Sequence, residues 1–300
     1  MIWRLEEMSE EGFEGTVLGT LIMPYCSGVG NLIFAFLLGK NHGPGGEVMI
    51  NALVNNVTNL SLLIGLPILI WGYSKPKKSG KSRGSRKNLE LDRLSMLLTL
   101  TAVLFFTGAL WVLGHDGSLS FDDGLVLVGL FVFWQCFHIF DVLKSNVRQS
   151  RSFDWMLPVN LAVLAMGAYA VYVSIDWLVA WVSSIEAGPV SAKYLGWLSG
   201  ALMVLPNAAL ALYYGWRRRP EVLYSSQVGD AHICIPLCVG IYALFQPLQL
   251  PAFFQSGVML LGGVTLVHLM FIGVWRKLPR EMGWVLVAAF FVFVYKGLPR

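Results

Sequence analysis

The chain has 300 residues, 56% of them hydrophobic and only 13% charged, with a formal net charge of +4. A soluble domain carries about 25% charged residues, and lipid-facing surface tolerates charge poorly, so this composition excludes a soluble enzyme, a nucleic-acid-binding domain and a disordered chain. What remains is an all-α polytopic membrane protein, and at about 20 residues per crossing the length allows roughly eight to ten spans.

Apolar runs between charged or Gly/Pro-rich breaks predict nine transmembrane helices, at 13–38, 48–72, 94–114, 124–144, 156–182, 191–214, 226–246, 256–275 and 281–298. The third and fourth are the clearest, for example Leu94 to Gly114, which has no charge between Arg93 and His115. Basic residues collect in alternate loops: Lys75 to Arg93, then Lys144, Arg148 and Arg151, then Arg217 to Arg219, then Arg276, Lys277 and Arg280. With Arg4, 18 of the 22 Lys and Arg residues fall on one side, which the positive-inside rule assigns to the cytoplasm together with the N-terminus. The acidic residues Glu6, Glu7, Glu10, Glu11 and Glu14 weigh little in that rule. The Ser/Gly-rich basic stretch 73–93 reads as a solvated loop. No secretory signal peptide is expected, and the default location is a plasma membrane or bacterial inner membrane. Cys26, Cys136, Cys234 and Cys238 all fall within spans.

The chain repeats itself. Asn31, Ala35 and Gly39 recur as Asn207, Ala211 and Gly215 at an offset of 176, Gly12 matches Gly188, and Leu63-Ile64-Gly65 resembles Cys238-Val239-Gly240 at 175. The charge pattern sends the first copy outward and the second inward, so the repeat is inverted. Interrupted helices in inverted repeats are a design of secondary transporters, with the site at the midplane between copies. This divides the chain into 1–93 (first repeat half), 94–155 (connecting helices), 156–248 (second repeat half) and 249–300 (C-terminal helices).

At these positions the sequence resembles the Ca²⁺/cation antiporter superfamily, which includes the sodium/calcium exchangers. Leu205-Pro206-Asn207 stands at that family's Leu-Pro-Glu, and Gly229-Asp230-Ala231 with Cys234 stands at its Gly-Ser-Asn-x-x-Asn. In the first copy Ser27-Gly28-Val29-Gly30-Asn31 takes the Thr-Ser-Leu-Pro-Glu place, and Val54-Asn55-Asn56-Val57-Thr58-Asn59 takes Gly-Ser-Asn-x-x-Asn. The resemblance covers 12–72 and 188–248 by motif and implies a ten-span fold, here lacking the first span, that exchanges cations across a lipid bilayer. The acidic residue the family places in each repeat is replaced by Asn31 and Asn207, which leaves ordinary calcium exchange without its carboxylates, since Ca²⁺ takes six to eight oxygens, several of them charged.

The residues that could bind an ion are Asp230, Asn207, Asn31, Asn55, Asn56 and Asn59. A carboxylate inside a span is costly and usually faces a cavity or partner, which makes Asp230 the first candidate for an ion ligand or proton carrier. Its alternative is a structural pairing with Arg217–Arg219 at the cytoplasmic end. The asparagines could ligate through their amide oxygens or join helices by hydrogen bonds. Asp230, Cys234 and Cys238 recur every four residues on one helix face, as do Asn51, Asn55 and Asn59. Cys234 and Cys238 read either as small packing residues or as soft-metal ligands, His232 as a hydrogen-bonded core residue or a ligand, and His138 with Asp141 as a local pair. Asp176, Trp177 and Trp181 read as part of an interfacial belt. No phosphate loop, nucleophile motif or metalloprotease signature occurs, so neither an enzyme nor a cofactor is expected. The partner is an inorganic cation (Na⁺, Ca²⁺ or H⁺) and not nucleic acid, and the competing reading is a scaffold or regulatory protein that has lost transport.

Overall fold

The computed structural model describes residues 23–72, 83–146, 157–188 and 190–299. Nine helical rods run through them. They are α1 (Met23–Lys40), α2 (Gly45–Val57, continuing through Thr58–Leu62 and Leu63–Trp71), α3 (Arg83–Leu113), α4 (Phe121–Asn146) and α5 (Leu157–Ser183). Then follow α6 (Leu195–Trp216), α7 (Pro220–Ile233, continuing through Cys234–Val239 and Gly240–Phe245), α8 (Phe254–Met270 with Phe271–Trp275) and α9 (Arg280–Gly297). Among the described residues, six stretches are long and apolar enough to cross a membrane by length and composition, including Gly45–Trp71, Val222–Phe245 and Phe254–Trp275. Side chains such as Phe133, Met259 and Trp284 are exposed on the outside of the bundle, as expected where lipid is the solvent.

The helices match the predicted spans within a few residues, with one correction. Residues 83–93, read as loop, begin α3. Lys, Arg, Glu and Leu are good helix formers, so the helix continues past the end of the apolar run that defined the span. The start of the first predicted span, the acidic cluster at Glu6–Glu14, Gly12, the loop at 73–82, Arg148 and Arg151 lie outside the described residues, as do the side chains of Cys26, His138 and Asp141.

The repeat is visible in the backbone. His42 and Arg218, 176 residues apart, both take the left-handed conformation (φ 54° and 53°). Each sits in the same three-bond turn: Asn41 N–H to Leu37 O, His42 N–H to Gly39 O and Gly43 N–H to Leu38 O in the first copy, and Arg217 to Tyr213, Arg218 to Gly215 and Arg219 to Tyr214 in the second. Both second helices then widen into a π-helical segment at the same place, Thr58–Leu62 in α2 and Cys234–Val239 in α7. In α7 the bulge holds Pro236, which has no N–H to give the α-helical ladder; the bulge in α2 holds no proline.

The copies face opposite ways. Gly196, Gly200 and Gly215 of α6 pack against Glu47, Val54 and Pro67 of α2 in ascending order, so these two helices run parallel. Gly28 and Gly39 of α1 meet Asp230 and Phe245 of α7 in the same sense. Since α1 and α2 form a hairpin, α1 and α6 are antiparallel. Contact between α2 and α6 is close because it lacks side chains: a Cβ on Gly196 would stand 2.5 Å from the Glu47 carbonyl oxygen, and one on Gly200 2.9 Å from Val54 Cβ.

The two ends of the bundle differ in charge. At one end a short strand pair (β1, Ser118–Leu119; β2, Leu248–Gln249) ties the α3–α4 and α7–α8 connections together. Gly43 O there accepts hydrogen bonds from the Tyr242 hydroxyl (2.6 Å) and Gln246 Nε2 (2.8 Å). The other end carries Arg217–Arg219 after α6, the Arg276–Arg280 turn after α8, and the C-terminus of α2, whose Leu69 carbonyl accepts from Arg280 Nε at 2.5 Å. Among the described residues, the basic loops thus share one end.

Candidate functional site

Where α2 and α7 cross, their two bulges bring polar residues into an otherwise apolar core. Asp230 lies ten residues into α7, about 15 Å along the helix axis, and is fully buried. Among the side chains described, no other Asp, Glu, Lys or Arg is buried. Its Oδ2 accepts hydrogen bonds from the amide nitrogens of Asn55 (2.7 Å), Asn59 (2.7 Å) and Asn207 (2.9 Å). Two of these donors come from α2 and one from α6, so the carboxylate joins both copies of the repeat. Three N–H groups on one oxygen offset part of the cost of removing that charge from water.

The amides are themselves connected. Asn207 Nδ2 also reaches Asn59 Oδ1 at 3.3 Å, and Asn55 Nδ2 reaches Cys234 Sγ at 3.0 Å. Gln227, one turn before Asp230, donates to the Asn207 carbonyl at 3.3 Å. Two polar atoms inside the cluster, Asn55 Oδ1 and Gln227 Oε1, are buried without a hydrogen-bond partner.

Of the six residues predicted for the site, four meet: Asp230, Asn55, Asn59 and Asn207. Asn56 turns its amide to the Ala231 carbonyl at 2.8 Å and serves as a bolt between α2 and α7. Asn31 is buried on α1, with both amide atoms lacking a hydrogen-bond partner. It does not join the cluster as its repeat counterpart Asn207 does. Asn51, on the same stripe as Asn55, instead donates to Ser199 Oγ of α6 at 3.0 Å. His232 approaches Gln135 of α4 at 3.5 Å, on a different side of α7 from the carboxylate. The expected alternative of an ion pair with Arg217–Arg219 does not describe the position of Asp230: those arginines are exposed at the end of the bundle, whereas Asp230 is buried among amides.

Three participants were not singled out for the site from sequence. Gln227 precedes Asp230 by three residues, one helical turn, which is a signal periodicity could have used. Tyr224 and His268 offered none. The Tyr224 hydroxyl hydrogen-bonds His268 Nδ1, and His268 Nε2 lies 2.7 Å from the Leu60 carbonyl, inside the α2 bulge and next to Asn59. A carbonyl can only accept, so Nε2 carries the proton and Nδ1 accepts from the phenol. His268 therefore straps the bulge of α2 to α7 through α8.

The cluster offers one carboxylate and three amides at a buried crossing of two inverted helix pairs. Each amide can present its oxygen where its nitrogen now sits by a half-turn about its terminal bond, which would turn a ring of donors into a ring of ligands around Asp230. Among the described residues no three His, Cys, Asp or Glu side chains are arranged to hold a metal ion, and Asp230 is the buried carboxylate of the cluster.

Comparison with known proteins agrees with this architecture. Residues 1–140 match the family model described as sodium/calcium exchanger protein. That stretch, just under half of the chain, is similar to the sodium/calcium exchangers. Its fold is that of the sodium–calcium exchanger NCX_Mj, to which it is 18–20% identical in three structures, with 97% of this chain and 90% of that chain covered in each. The TM-scores are 0.67 for the crystal soaked in 2.5 mM Na⁺ and 10 mM Sr²⁺, 0.68 for 100 mM Na⁺ and 10 mM Sr²⁺, and 0.64 for zero Na⁺ and Ca²⁺. No curated protein matches the sequence.

Proposed function

We propose that this protein is a secondary active cation antiporter, in which Asp230 binds the transported ion and Asn55, Asn59 and Asn207 complete its shell through their amide oxygens. The observation that carries this reading is the buried Asp230 carboxylate, held by amides from both repeat copies at the crossing of their bulged helices. A charge in a membrane core is expensive and by default marks a functional site. With a single carboxylate the site neutralises one positive charge, which favours Na⁺ or a proton over Ca²⁺, an ion that takes several charged oxygens. The basic loops face the cytoplasm in this reading.

Proteoliposomes test it. An outward Na⁺ gradient should drive uptake of a counter-ion (H⁺, Ca²⁺ or K⁺), and reversing the gradient should reverse the movement; absence of any coupled flux overturns the proposal.

One observation favours a second reading. With three N–H donors on Asp230 Oδ2, the cluster is partly satisfied without an ion, as a non-transporting scaffold would need. Cation-dependent thermal stabilisation separates the two, because a ligand that binds only the folded state raises its melting temperature and a scaffold shows no such shift.

A further inference from the structure

Cys234 stands in the second copy where Asn59 stands in the first, at an offset of 175 that also pairs Asp230 with Asn55. The geometry respects that pairing: Asn55 Nδ2 lies 2.7 Å from Asp230 Oδ2 and 3.0 Å from Cys234 Sγ. The sulfur is therefore in the same ring as the carboxylate and is fully buried. The Asn55 amide that touches both groups ends in an oxygen, buried and without a hydrogen-bond partner.

The structure assigns to Cys234 a specificity-determining role, building on the cation site proposed above. A thiol is a poor ligand for hard ions and a good one for soft ions. Replacing an amide oxygen by sulfur removes one of the oxygens that Ca²⁺ requires, while costing little to a monovalent ion that Asp230 already neutralises. Towards a soft divalent ion such as Cd²⁺ the same residue acts oppositely. The thiol releases its proton to solvent as the metal–sulfur bond forms, and the thiolate with Asp230 then supplies two negative charges for a doubly charged ion. The wild-type site thus prefers Na⁺ and Cd²⁺ over Ca²⁺, an order that hard oxygen ligands alone do not produce.

The test measures apparent affinities for Na⁺, Ca²⁺ and Cd²⁺ by ion-dependent thermal shift of the purified full-length protein, for wild type, Cys234→Asn and Cys234→Ser. Cys234→Asn copies the residue of the first repeat and should lower the Cd²⁺ to Ca²⁺ affinity ratio at least about tenfold. Cys234→Ser, which keeps the size and removes the sulfur, should lose Cd²⁺ affinity similarly and covers the case in which the Asn variant does not fold. Wild-type cation binding with a Cd²⁺ to Ca²⁺ ratio unchanged in both variants overturns the role of Cys234 and leaves the cation site standing. No binding of any of the three ions to wild type overturns both.

Discussion

Asp230 depends on its amide donors, and the two kinds of substitution around it should behave differently. Asp230→Asn removes a buried charge together with its desolvation cost, so thermal stability should stay equal or rise even as transport is lost. Asn59→Leu keeps the charge and removes one donor, which should destabilise the protein by about 1–3 kcal/mol, measured as a lower melting temperature without added cation. Asn207→Asp adds a second carboxylate within reach of the first. Like charges at this distance destabilise the empty site, and a doubly charged ion relieves them, so this variant should melt lower than wild type in Na⁺-free, Ca²⁺-free buffer and gain a larger Ca²⁺-dependent stabilisation than wild type shows. Asn55, Asn59, Asn207 and Asp230 could be found from sequence because the repeat aligns them. Asn31 aligned equally well yet stands apart, because alignment reports equivalent backbone positions and not which amide the surrounding helices bring to the carboxylate.

At the scale of the helix, the paired bulges decide where the amides point. A π-helical turn inserts extra backbone and leaves a carbonyl outside the α-helical ladder; in α2 the Leu60 carbonyl finds its donor in His268. His268→Leu removes that hydrogen bond and should cost about 1–3 kcal/mol. His268→Gln, which can still donate to Leu60, should recover most of it in thermal unfolding. The α2 sequence places no proline inside this bulge, its only proline being Pro67 five residues beyond, and the contact with α8 at Leu60 is not legible from local pattern. The tight seam between α2 and α6 was also beyond reach of pattern reading. Gly196 and Gly200 carry no signal in the sequence that names their partner, which the structure shows to be the other copy. Gly200→Val should overpack this seam by about 1–3 kcal/mol, with loss of folded protein in detergent as the readout.

For the whole molecule, apolar runs separated by charge were enough to find nine helices, because in a membrane the backbone has few alternatives to helix. The inverted repeat followed from the charge asymmetry of the loops, and the matched turns at His42 and Arg218 and the parallel pairing of α2 with α6 bear it out. In the proposed mechanism, two copies facing opposite ways around one carboxylate let the same ion be reached from either side as the copies move against surrounding helices. The most direct measurement is radiolabelled Na⁺ uptake into proteoliposomes, driven by an opposing cation gradient, with equal amounts of folded wild type and Asp230→Asn reconstituted. The account predicts gradient-dependent uptake by wild type and none above protein-free vesicles by Asp230→Asn; equal uptake by the two proteins would contradict it.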